Sequence, residues 1–140
     1  MITKYYLIIV FFALALIHIY WAFGGIYGLK SSIPSNNNGP VFEIKFAGTM
    51  FIAIIFITGL MAIIFDTNSF QILYIQKYLY HLIFIVFTAR VIGDFKYVGL
   101  FKKYRHTAFA KYDNVIYSPL CLSISISAIA SIIFGSNVTT

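Results

Sequence analysis

Four ionisable side chains interrupt sequence that is otherwise apolar: His18, His81, Arg90 and Asp94. Such groups are costly inside a membrane span and usually face a bundle interior or a cavity, so they mark candidate sites. Arg90 and Asp94 are four residues apart, on one face if helical, and are expected to pair. Arg90 would also meet the favourable C-terminal end of its helix. So held, it could take an anionic headgroup or phosphate with Asp94 orienting it, or the pair could simply fix where the helix ends. His18 and His81 differ in expected depth by about 6 Å. Two neutral imidazoles could ligate a haem iron, although hydrogen-bonded structural histidines explain them as well. Further along, Asp113 is placed to cap a helix or to pair with a loop cation, and Tyr117, Ser118 and Cys121 follow it. With antiparallel helices, His18, Trp21, Arg90, Asp94, Asp113, Tyr117 and Cys121 would share one end of the fold. They would form either a ligand pocket or a hydrogen-bond network. No metal site and no catalytic constellation is expected. A single cysteine excludes an intramolecular disulfide, a CxxC redox pair and a multi-cysteine zinc site.

The elements that must position these groups follow from composition. Of 140 residues, 61% are hydrophobic and 10% charged. A water-facing surface ordinarily needs roughly 25% charged residues, so folding in water would expose large apolar patches. Four apolar runs match the ~20 residues that cross a bilayer as a helix: residues 5–27, 46–65, 72–92 and 115–134. They are apolar in blocks, without the alternation of a membrane β-barrel. The expected fold is all-α, a single domain over residues 1–140 built as a membrane-spanning four-helix bundle. The first run is longer than a signal-peptide core, and bulky Tyr, Trp and Phe stand where small cleavage-site residues belong, so it reads as a retained span.

Loop charge sets the orientation. Lys96, Lys102, Lys103, Arg105 and Lys111 lie between spans three and four, with Lys30 and Lys45 in loop one on the same side. Only Lys4 and Lys77 fall opposite. Loops one and three are therefore expected in the cytoplasm, with both termini outside. Loop one contains SSIPSNNNGP, a run of turn formers read as a flexible connector. Loop two, around Asp66–Ser69, is short, which predicts that spans two and three are antiparallel neighbours. In loop three, Tyr97, Phe101, Tyr104 and Ala108 recur at helical spacing among the cations. This predicts a short amphipathic helix in the headgroup layer, with Lys96, Lys102, Lys103, Arg105 and Lys111 meeting anionic lipid. Nucleic-acid binding is not expected of so short a membrane-bound loop. Ser123, Ser127 and Ala130 or Ser131, with Gly25, Gly28, Gly59 and Ala62 elsewhere, offer small side chains for close helix packing.

From Arg90 to Leu122 the segments RVIGDFKYVGLFKK, FAKYD and YSPLCL resemble the signature of a bacterial four-pass membrane family known as domain of unknown function 3995. HIYWAFGG, His18–Gly25, resembles that family's other motif. Arg90, Gly93, Asp94, Phe95, Gly99, Lys102, Phe109, Ala110, Asp113, Tyr117, Pro119 and Leu120 fall in register, whereas His81 belongs to no family motif. The resemblance implies an architecture and a bacterial inner-membrane location, but no activity. Physically, Gly93 and Gly99 supply backbone freedom for a bend, and Pro119 suits the first turn of span four.

Small size, the want of a soluble domain and the missing catalytic constellation point to a non-enzymatic accessory, assembly or protective (immunity-type) module, whose partners are the lipid bilayer and other membrane subunits. One alternative is a binder of, or enzyme on, a lipid, isoprenoid or quinone-like ligand at the polar corner. Another is a small transporter. Against it, Glu43 and Asp66 lie outside the spans and Asp94 and Asp113 at their boundaries, leaving only His18 and His81 to relay protons.

Overall fold

In the computed structural model, which describes residues 2–36, 39–41, 45–65 and 70–135, the chain is mostly helical. Its long helices are α1 (Ile2–Ala22), α3 (Phe46–Ile64), α4 (Phe70–Ile92) and α6 (Ser118–Gly135). A short α2 (Leu29–Ser32) and a two-residue antiparallel ladder, Ser35 opposite Pro40 and Asn36 opposite Gly39, fold back loop one. Loop two around Asp66–Ser69, with the carboxylates of Glu43 and Asp66, lies outside the described residues.

The helices stop where the sequence lets them. α1 ends before Gly24, whose φ of 88° is left-handed. There the Gly25 amide bonds the Tyr20 carbonyl and the Gly24 amide that of Trp21, the paired bonds of a Schellman cap. The first helix therefore ends five residues short of Tyr27, and Gly25 and Gly28 sit in the turns beyond it. α4 ends at Gly93, φ 84°, whose amide bonds the Ala89 carbonyl at 2.8 Å.

α6 does not begin near Val115. A helical turn, α5 (Ala108–Tyr112), is capped by the Thr107 hydroxyl, which accepts the Ala110 amide. It runs through a π-helical turn, Asp113–Tyr117, directly into α6. Pro119 is thus inside a continuous helix and not at its start. Proline there removes one backbone donor and crowds the preceding turn. The π turn alongside it, in which the Ser118 amide reaches the Asp113 carbonyl, is the kind of local widening that single-turn bulges provide.

Packing differs from a simple sequential order. α1 packs mainly on α3, α4 mainly on α6, and α6 also touches α1, whereas α3 and α4 meet only slightly. Spans two and three do touch, as their short connection predicts, but among the described residues α3 and α4 each pack more extensively on another helix. One core joins all four, with Leu7 and Phe11 of α1, Leu60 and Ile63 of α3, Ile83 of α4 and Ile124 and Ala128 of α6. The α6 serines act as hydrogen-bonding points between helices. Ser123 bonds the Tyr6 hydroxyl and Ser131 that of Thr3, both on α1. Ser125 bonds the Thr88 hydroxyl of α4 at 2.6 Å. Small hydroxyl residues allow this close approach and satisfy one another where water is scarce.

Three helices are long and apolar enough to cross a membrane: Ile2–Ala22, Phe46–Ile64 and Ala108–Phe134. In α4 the described apolar stretch is Tyr78–Ile92. Large apolar side chains such as Phe12, Phe51, Ile85 and Ile126 face outward, each more than half exposed. Such an exterior suits lipid and not water.

Candidate functional site

The polar corner is built on Asp113. Its carboxylate is fully buried, where an unpaired charge would be very costly, and it gathers donors on both oxygens. Arg90 Nη2 donates to Oδ1 at 2.9 Å, and Ser118 Oγ reaches the same oxygen at 3.3 Å. The Gly99 amide and Lys102 Nζ donate to Oδ2 at 2.9 and 2.8 Å. Lys102, 1% exposed, spends its remaining donors on the Gly99 carbonyl, 2.9 Å away, and on the Asn114 side-chain oxygen. One carboxylate thus ties the end of α4, loop three and the π turn together. The two cations leave the cluster with a net positive charge, and Arg90 Nη1 is buried without a hydrogen-bond partner.

This corrects three expectations. Arg90 pairs with Asp113 and not with Asp94. The reason is the left-handed Gly93, which turns the chain out of the helix before Asp94, so that the two residues no longer share a helix face. Lys102 is not a lipid contact, because Asp113 draws it into the interior. Nor does the 97–104 stretch form an amphipathic helix.

Asp94 organises that stretch differently. Its Oδ1 accepts the amides of Lys96, Tyr97 and Val98 at 2.9, 2.6 and 2.8 Å. Partial burial alone would push its carboxyl up, but the amides of Val98, Tyr97 and Lys96 hold it below the usual carboxylate range. Bonds to the charged form act in this direction. The turn carries Phe95 at φ 59°, a bulky residue in the left-handed region, and stacks Tyr97 on Tyr104 with centroids 5.2 Å apart. Gly93 and Gly99 make it possible. A Cβ at Gly93 would stand 1.8 Å from the Val98 carbonyl oxygen, and one at Gly99 2.5 Å from that of Ile92.

The other predicted residues stand apart from this carboxylate. His18 donates through Nδ1 to the Leu14 carbonyl, 2.7 Å away. Its ring packs against Trp21 and Phe56, each at 5.3 Å. Trp21 Nε1 donates to the Tyr27 carbonyl at 2.8 Å, so this pair secures the turn after α1. His81 is half-buried on α4. The Tyr117 hydroxyl bonds Ser32 of α2 at 3.1 Å, and Cys121 is buried one turn beyond Ser118. Of the loop cations, Lys96 lies over the Tyr97 ring and Arg105 Nε donates to the Lys102 carbonyl at 3.2 Å. Lys103 and Lys111 are exposed.

Sequence reasoning missed Ser118, Asn114 and the Gly99 amide as partners of the cluster. A usable signal did exist: a carboxylate entering an apolar helix must find cations, and loop three supplies five.

Chemically, Asp113 and Lys102 are saturated, and among the described residues Arg90 Nη1 is the buried donor of the cluster left over. Asp113 has no free lone-pair direction aimed at a cavity, and Lys102 has no spare proton donor. Among the described residues no group of three or more His, Cys, Asp or Glu could hold a metal. The chain belongs to the family described as Protein of unknown function (DUF3995), whose model matches residues 11–128. No curated protein and no solved structure matches it.

Proposed function

We propose that this chain is a four-span integral membrane protein without a catalytic centre, serving as an accessory, assembly or protective module. The Asp113 cluster is its internal brace. One observation carries the reading: every oxygen of the buried Asp113 is taken by its own chain's donors, two of them cations. A general acid or base must reach substrate with a free lone pair or proton, and neither the Asp113 carboxylate nor the Lys102 ammonium has one to spare. The 23-residue α4 supplies the fourth span beside the three apolar helices. The lysine and arginine excess of loops one and three supports a brace at the cytoplasmic face with both termini outside, and the family resemblance supports a bacterial inner membrane as its location. In this reading, function resides on the outward apolar faces, where another membrane protein would pack.

Photocrosslinking in intact membranes tests it, from probes replacing the exposed Phe12 on α1 and Phe51 on α3. A recurring adduct with one membrane protein is expected. Lipid adducts alone, together with turnover of a lipid by the purified chain, would overturn it.

A further inference from the structure

Next to the brace, where loop three enters the Ala108–Phe134 helix, the surface opens into a groove of about 510 Å³. Arg105, His106, Thr107, Lys111, Asn114 and Val115 line it. Its chemistry is one-sided. Arg105 and Lys111 are cations, and no carboxylate lines it among the described residues. Asp113, the acid adjoining Asn114 in sequence, is turned inward onto Arg90 and Lys102.

The groove is also prearranged by the brace. Arg105 Nε is held on the Lys102 carbonyl, which fixes the guanidinium plane and leaves its terminal nitrogens for another acceptor. The Asn114 side-chain oxygen accepts from Lys102, so its amide N–H groups are the end still to be matched. Thr107 accepts the Ala110 amide and sets the start of the helix. Thr107 and Lys111 are four apart, hence neighbours on the helix surface. Along the same helix Val115, Leu122 and Ile126 are all substantially exposed. A donor-lined hollow above an apolar helix surface matches a molecule with an anionic head and a hydrocarbon tail.

We propose that this groove seats the phosphate of one anionic lipid, with Arg105 and Lys111 neutralising it and the acyl chains lying along the Val115–Ile126 surface. This rests on the membrane-spanning reading above and adds a defined lipid site to it. Loop cations elsewhere attract anionic bilayers diffusely, whereas this groove holds one headgroup.

The test uses the full chain in phosphatidylcholine nanodiscs containing a minority of dioleoyl phosphatidate, with retained lipid counted by native mass spectrometry. The wild type is expected to retain one phosphatidate. Arg105→Gln with Lys111→Gln should weaken retention about 30-fold, since each interfacial cation contributes about fivefold. Lys96→Gln with Lys103→Gln, exposed cations outside the groove, should leave it unchanged. Equal loss from both pairs would mean diffuse charge and overturn the site. Displacement of the lipid by inorganic phosphate at matched concentration would make it a site for free phosphate and overturn the lipid assignment. Both pairs replace exposed side chains, and an unchanged thermal midpoint verifies the fold. Alkaline extraction of the same membranes separates the two readings. A chain that stays in the pellet but keeps no phosphatidate defeats the groove alone, whereas one that is extracted defeats the membrane-spanning module.

Discussion

Asp113 shows how one side chain can carry a whole corner of a protein. Removing one partner of a buried ion pair costs about 3–5 kcal/mol, because the survivor stays buried and unpaired. Asp113→Asn leaves two cations facing a neutral amide, and should destabilise the chain by that amount in a thermal or denaturant melt in nanodiscs. Asp94 works at the surface by a different mechanism. Its folded-state pKa lies below the ordinary carboxylate value, so its contribution is complete above that value and fades as pH falls through the lower one. The Lys96, Tyr97 and Val98 amides should therefore lose exchange protection, corrected for intrinsic rate, as pH drops below about 4. Asp94→Asn should show no such dependence. The ionisable residues worth watching were legible from their types, and the partnership of Asp113 with a loop cation was among the expectations. The identity of Arg90's partner was not. Helical spacing favoured Asp94, and only the left-handed backbone of Gly93 sends Asp94 elsewhere.

The helices repeat this lesson in larger units. Apolar runs located α1, α3, α4 and α6, because burying or lipid-solvating a long apolar stretch dominates every local preference. The joins were harder to read. Loop three has helical spacing of aromatics, yet Gly93 and Gly99 impose a tight reversal, and the tyrosines stack on each other instead. The continuous Ala108–Gly135 helix escaped notice because Asp113 and Asn114 look like a helix start, whereas the π turn absorbs them and Pro119 follows within α6. Gly99 is the hinge of this element: its amide feeds Asp113, its carbonyl takes Lys102, and its backbone crosses that of Gly93. Gly99→Ala adds the ~1–2 kcal/mol of a left-handed non-glycine residue to a clash with the Ile92 carbonyl. It should open loop three to limited proteolysis at temperatures where the wild type resists, with the long helices retaining their circular dichroism.

At the scale of the whole molecule, the reading is of four crossings with loops one and three inside. The only native cysteine, Cys121, is buried, so single-cysteine labelling can report topology. Lys103→Cys should react with a membrane-impermeant maleimide only after the inner face is exposed, and Ile2→Cys should react from outside. The apolar exterior was readable from composition alone, but which helices pair was not. Block-apolar spans carry no stripe to choose a neighbour, and the α6 serines that tie α6 to α1 and α4 find their partners Tyr6, Thr3 and Thr88 far away in sequence. The central claim is that the charged corner holds the fold together and performs no chemistry. A double-mutant cycle on Lys102→Met and Asp113→Asn, read as unfolding free energy in nanodiscs, tests it most directly. The brace predicts a coupling of about 2–3 kcal/mol, at the upper end of what contacting residues show. Additive effects, or single variants that abolish a measured activity while leaving stability unchanged, would contradict it.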